Sequence, residues 1–183
     1  MPNIKEFQEA GQALYDRIHL SSMPIAIKYI KDVSEIEGEK IMRPSAMGEE
    51  WSLCQGFTYA RRWGWNVAMT AQDNFCVPGS AGLGWTDISE EDRFESQIRQ
   101  GWHKDADAER RVFDFTLRLF GDQVEKRKEY KGFILSPLPR TIIVPDTVLI
   151  YGNAEQITHI VQARSTTAVI SRNQDTGALG NPA

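Results

Sequence analysis

The stretch Pro24–Ile30, P-I-A-I-K-Y-I, decides how the rest of the chain reads. Its residues alternate and are rich in β-branched and aromatic side chains, which is the pattern of a strand. A helix precedes it. Asn3 caps a segment running to about Leu20, with Ile4, Phe7, Leu14 and Ile18 at spacings close to 3.6. One helix followed by one strand sets a rhythm that the remaining sequence continues.

Residues 31–50 are polar, hold Gly38, Pro44 and Gly48, and read as a long loop. Ser52 to Trp63 predicts a helix that Gly64 stops, and Trp65 to Thr70 predicts a strand. Residues 71–87 read as a loop rich in Gly and Asp. Ser89 caps an acidic helix that Gly101 ends, and Asp105 to Phe120 is a strong helix. Ala108, Val112, Phe115 and Leu119 lie on one of its faces and Phe113, Leu117 and Phe120 on another, which predicts burial on two sides. Glu125–Lys131 reads as a solvated connector. Phe133–Leu138 and Thr147–Tyr151 predict strands, Asn153 to about Arg164 a helix, and Thr166–Ser171 a last strand, with a loose tail over 172–183. The order αβ-αβ-αα-ββ-αβ predicts an α/β or α+β fold: a single layered domain over 1–183, with a mixed sheet flanked by helices.

Bulk composition excludes more than it identifies. The 183 residues are 41% hydrophobic and 25% charged, as expected of a globular chain. A net charge of -4 and a pI near 5.4 argue against a nucleic-acid partner. No run is long and apolar enough for a membrane span, and the N-terminus lacks a signal-peptide pattern, so a cytoplasmic location is expected. Two cysteines cannot form a disulfide framework. There is no nucleophile elbow, kinase signature or zinc-protease motif, and His19, His103 and His159 are scattered.

What stands out is local. Residues 51–85 hold four of the five Trp and both cysteines. Cys54 lies near a predicted helix start, where a thiol is drawn toward its reactive thiolate. Cys76 opens C-V-P-G-S-A-G-L-G. Their spacing is not that of a zinc knuckle, and two thiolates do not close a zinc or four-iron site. The thiols are either small buried hydrophobes or ligands that need partners from elsewhere. The glycines Gly79, Gly82 and Gly84 run in the reverse of the dinucleotide fingerprint and read as an irregular loop shaping the Cys76 site, more than as a phosphate cradle. Trp51, Phe57, Tyr59, Trp63, Trp65, Phe75 and Trp85 form either core or the wall of a flat pocket. Arg61 and Arg62 either face that pocket as anion partners or lie on a solvated helix surface. In V-L-I-Y-G-N-A-E-Q, Asn153 and Gln156 either cap a helix or touch a ligand at its N-terminus.

Taken together, these segments resemble the domain-of-unknown-function 169 family over roughly residues 5–170. The resemblance is carried by M-P-I-A-I-K-Y, C-Q-G-F-T-Y-A-R-R around Cys54, N-F-C-V-P-G-S-A-G-L-G around Cys76, L-S-P-L-P, and V-P-D-T-V-L-I-Y-G-N-A-E-Q-I-T-H-I-V-Q-A. The resemblance implies that both cysteines belong to the family pattern. It also implies that members continue into further cysteines, as for a cysteine-ligated metal or iron–sulfur site. This chain would then be either a shortened member or one that completes such a site with another subunit.

The functional expectation is a cytoplasmic metal- or iron–sulfur-binding, redox-active accessory protein or subunit. Cys54 and Cys76 would be its ligands to a cluster or zinc, and Trp51, Trp63, Trp65 and Trp85 a dry wall. Gly79 and Gly82 would shape that site, whereas Arg61, Asn153 and Gln156 are expected as contacts to a small-molecule ligand. A metal-free binding module or enzyme for an aromatic or anionic small molecule is the rival reading. A structural subunit of a homo-oligomer or larger complex is the third.

Overall fold

The computed structural model describes residues 3–36, 40–101 and 103–164. Helix α1 (Ile4–Ile18) begins where the Asn3 side chain accepts the Glu6 N–H, so one orphan donor of the first turn is satisfied. It leads to β1 (Ile25–Ile30). Helix α2 (Leu53–Thr58) runs without a break into a π turn, Tyr59–Trp63, which stops at Gly64 with φ +73°. Then follow β2 (Val67–Thr70), α3 (Val77–Gly82), α4 (Glu90–Gln100), α5 (Ala106–Arg127), β3 (Gly132–Pro137) and β4 (Thr147–Leu149). A sixth helix, α6, covers residues 154–164.

The layered α/β expectation holds, and the sheet specifies it further. Its order is β2-β3-β1-β4, and every ladder is antiparallel: β1 pairs with β3 and β4, and β3 with β2. Among the described residues, the parallel component expected of a mixed sheet is confined to two isolated bridges, Met42↔Val67 and Trp51↔Asn74. The arrangement is therefore α+β. The long loop 31–50 carries two short 3-10 turns, Val33–Glu35 and Ser45–Met47, and its Met42 lies along the edge of β2.

Alternation along the strands separates two apolar layers. Ile25, Ile27, Phe133, Leu135, Val67 and Met69 face one way, covered by Trp51, Ala60 and the partly buried rings of Phe57, Tyr59 and Trp85. Ala26, Ile30, Ala68 and Ile134 face the other way, against Leu138, Ile143 and Phe7 of α1. Each large aliphatic side chain so buried contributes about 1.5–3 kcal/mol. Helix α1 reaches this second face closely because Gly11 has no side chain: a Cβ there would lie 2.8 Å from the Leu138 carbonyl carbon.

Several expectations are corrected. The segment 71–87 is not all loop, because Pro78 sits in the first turn of α3, where its missing N–H costs nothing. Helix α5 continues through Gly121 to Arg127 and absorbs part of the expected connector. It is not buried on two sides. Phe113 is buried against Phe94 of α4, their centroids 5.7 Å apart, while Val112, Phe115 and Leu119 are exposed because nothing among the described residues packs over them. Strands β2 and β4 are shorter than expected. The expected strand 166–171 and the tail 172–183 lie outside the described residues. No helix among the described residues is long and apolar enough to cross a membrane.

Candidate functional site

Asp73 organises the region that carries both cysteines. Its carboxylate is fully buried. It accepts the Ser45 N–H (2.9 Å) and hydroxyl (2.6 Å), the Thr70 N–H (2.9 Å) and hydroxyl (2.7 Å), and Arg43 Nη2 (3.2 Å). Burial pushes this carboxyl up, but the bonds from Ser45 and Thr70 outweigh it and hold it below the ordinary aspartate value of 3.8. The network ties the 31–50 loop to the turn after β2. From that turn, the Asp73 carbonyl accepts the Trp51 N–H at 2.9 Å, and the Trp51 carbonyl accepts the Phe75 N–H at 3.2 Å.

The parallel bridge Trp51↔Asn74 has a direct chemical consequence. Both strands of the bridge run the same way and each turns at once into a short helix. Cys54 lies in the first turn of α2, after the capping box in which Ser52 and Gln55 exchange hydrogen bonds. Cys76 is the residue before α3, and its N–H is donated to Asn74 Oδ1 at 3.1 Å. Gly79 lets the two turns close on each other. A Cβ on Gly79 would lie 2.6 Å from Leu53 Cδ1 and 3.3 Å from Cys76 Sγ. The fold thus starts both cysteine-bearing turns from one pair of adjacent residues. Cys54 is exposed, Cys76 is half-buried, and both are free thiols.

Beside Cys54 stands a set of rings. Tyr59 is at its centre, with Trp51 at 4.3 Å, Trp63 at 4.6 Å and Trp65 at 4.7 Å, the last in parallel stacking at 3°. The π turn carries Tyr59 and Trp63 together, and such turns concentrate at functional sites. Trp51 is buried at 5% exposure and donates its indole N–H to Glu49 at 2.8 Å, whereas Trp63 and Trp65 remain 57% and 38% exposed. Cys54, Gln55, Thr58, Tyr59 and Trp63 line a cavity of about 230 Å³.

Other expected site residues are elsewhere. Trp85 is not part of a four-Trp wall: it stacks on Phe133 at 5.6 Å and donates its indole N–H to the Tyr130 carbonyl at 3.2 Å. Phe133 pairs with Met69 near the end of β2, while Trp65 precedes the start of that strand. Arg61 lays its guanidinium over the Tyr151 ring at 4.3 Å. Asn153 and Gln156 form a reciprocal cap, with bonds of 2.8 and 2.9 Å, and Gln156 Nε2 also reaches the His19 carbonyl at 2.7 Å. Asn153 Oδ1 and Gln156 Oε1 thus start α6, and Gln156 Nε2 fastens it to the end of α1. Gly82 has open space where a side chain would be, and its carbonyl accepts Arg127 Nη1 at 3.1 Å. Tyr59 and Asp73 carry more of the architecture than sequence reading assigns them. The T-x-x-D spacing of Thr70 and Asp73 is the signal that points to the second.

The donor set is half of one. A tetrahedral zinc or four-iron site takes four ligands. Among the described residues no group of three or more His, Cys, Asp or Glu is arranged to hold a metal ion. The described residues of one chain therefore supply two thiolates and not a closed four-ligand set.

A family model described as an uncharacterised ArCR, the domain-of-unknown-function 169 family, matches residues 13–173, and the chain belongs to that family. No curated protein and no solved structure matches the chain.

Proposed function

We propose that this member of the uncharacterised ArCR family is a cytoplasmic accessory protein working through its thiol-bearing edge. Cys54 and Cys76 supply two thiolates to a zinc or iron–sulfur site whose remaining ligands come from a second copy or another subunit. The observation that carries this reading is the Trp51↔Asn74 bridge, which sends both cysteine turns out from adjacent residues. The exposure of Cys54 supports it, because a ligand shared between chains must be reachable from outside. The rings of Tyr59, Trp63 and Trp65 would exclude water around such a site once it is covered. Purification without oxygen, followed by metal analysis and sizing, tests it. The expected result is bound zinc or iron in an assembly larger than one chain, lost in both Cys54→Ser and Cys76→Ser. A metal-free monomer contradicts it.

A metal-free reading is favoured by a different observation, the 230 Å³ cavity in which Cys54 meets Tyr59 and Trp63. There the edge would hold a flat apolar molecule, with the thiol as a neighbour. Ligand-induced thermal stabilisation that survives Cys54→Ser and Cys76→Ser but not Tyr59→Ala would select this reading.

A further inference from the structure

We propose a second site, separate from the thiol edge, that takes a small planar aromatic carboxylate between the end of α5, the Trp85 turn and the sheet. A cavity of about 380 Å³ lies there, lined by Tyr29, Leu83, Trp85, Arg127, Tyr130 and Phe133. Pockets for small organic ligands span about 300–1,000 Å³, mostly apolar with a few placed polar groups. This one sits at the lower end, which suits one or two fused rings.

The fold builds its wall from one face of the sheet and the residues packed on that face. Tyr29 and Phe133 are cross-strand partners in the β1–β3 ladder, so their side chains share a face. Trp85 stacks on Phe133 with the planes 24° apart, and Tyr29 meets Tyr130 at 5.4 Å. Flat rings on several sides select a flat ligand, since offset and edge contacts are the favoured aromatic geometries. Trp85 has already donated its N–H to the Tyr130 carbonyl, which fixes its ring and leaves an apolar surface toward the cavity.

The mouth supplies the charge. Lys31 and Glu129 neutralise each other at 2.7 Å. The carboxylate of Glu129, and more weakly that of Asp146, raises the Tyr130 phenol above its ordinary value, and a phenol is uncharged at neutral pH in any case. Arg127 is exposed and, among the described residues, has no carboxylate partner. Nη1 is held by the Gly82 carbonyl at 3.1 Å, and that bond orients the guanidinium fork. Its remaining N–H groups match the two oxygens of a carboxylate. Neither cysteine lines this cavity, so its ligand is independent of the metal reading.

Calorimetric titration of the full chain with 2-naphthoate and with neutral 2-naphthalenemethanol tests the assignment. The acid should bind saturably and about ten- to a hundredfold more tightly than the alcohol, as a charge-assisted pair predicts. Arg127→Gln should bring the acid down to the level of the alcohol, and Arg127 is exposed enough for the variant to fold. Trp85→Phe should weaken both ligands, with thermal unfolding as the check on folding. Cys54→Ser and Cys76→Ser should leave acid binding unchanged. Absence of saturable binding, equal binding of acid and alcohol, or acid binding unmoved by Arg127→Gln would overturn the proposal.

Discussion

The aromatic residues between positions 51 and 85 divide into two regions that differ in how they are held. Around Trp85, rings are locked: Phe133 is 3% exposed, the Trp85 indole has a backbone partner, and the two rings stack. Around Tyr59, Trp51 is buried beneath, but the outer rings are stacked on one another and open: Trp63 is 57% exposed, with the Cys54 thiol beside it. Aromatics stabilise by burial first and by ring–ring geometry second, the latter worth about 0.5–1.5 kcal/mol per pair. The first region is therefore held by the fold. The second is stacking surface left uncovered, which is the condition of a surface that meets something else.

Substitutions on the two sides should separate these roles. The largest loss is expected for Phe133→Ala, about 3–5 kcal/mol in denaturant unfolding, because it empties a buried site under Trp85. Asp73→Asn should follow at about 3 kcal/mol, since it leaves Arg43 and the donors of Ser45 and Thr70 facing an uncharged amide. Its pH dependence has a definite sign. The folded-state value of Asp73 lies below the unfolded one, so its stabilisation is full above the ordinary value of 3.8 and fades as pH falls through the lower, folded-state value. Melting curves of wild type and Asp73→Asn should therefore converge in acid. A gap that persists there would remove the carboxylate from the account. Trp63→Ala should cost only about 1 kcal/mol, because it loses exposed ring contacts with Tyr59 and Trp65 and empties no buried site. A loss as large as that of Phe133→Ala would break the distinction between the two regions. Alkylation followed by mass spectrometry should sharpen it further, with Cys54 modified before Cys76 because Cys54 is exposed and Cys76 only half so.

The strands, most helices and their caps were legible in the sequence because they rest on local rules. Asn3, Ser52, Ser89 and Gly101 end their helices as their side chains or conformational freedom demand. The 51–85 segment was legible as a place but not as an arrangement. Nothing in the spacing of Cys54 and Cys76 reveals a parallel bridge at Trp51 and Asn74, since that contact depends on the buried carboxylate of Asp73 drawing in Ser45 from a distant loop. The second cavity was hidden for a related reason. Tyr130 lies in a run of charges that reads as solvated, and Arg127 in what looks like a connector, until α5 continues through Gly121 and brings both to the sheet. Asn153 and Gln156, open between cap and ligand in the sequence, exchange cap bonds through Asn153 Oδ1 and Gln156 Oε1.

The central claim is that Cys54 and Cys76 act as one pair of ligands. Titration of the reduced protein with cobalt(II), read by its thiolate charge-transfer absorption together with light scattering, tests it most directly. The account predicts a band that saturates at one metal per two chains as the protein dimerises, and that disappears in both Cys54→Ser and Cys76→Ser. A band that survives in either variant, or no band in the wild type, would contradict it.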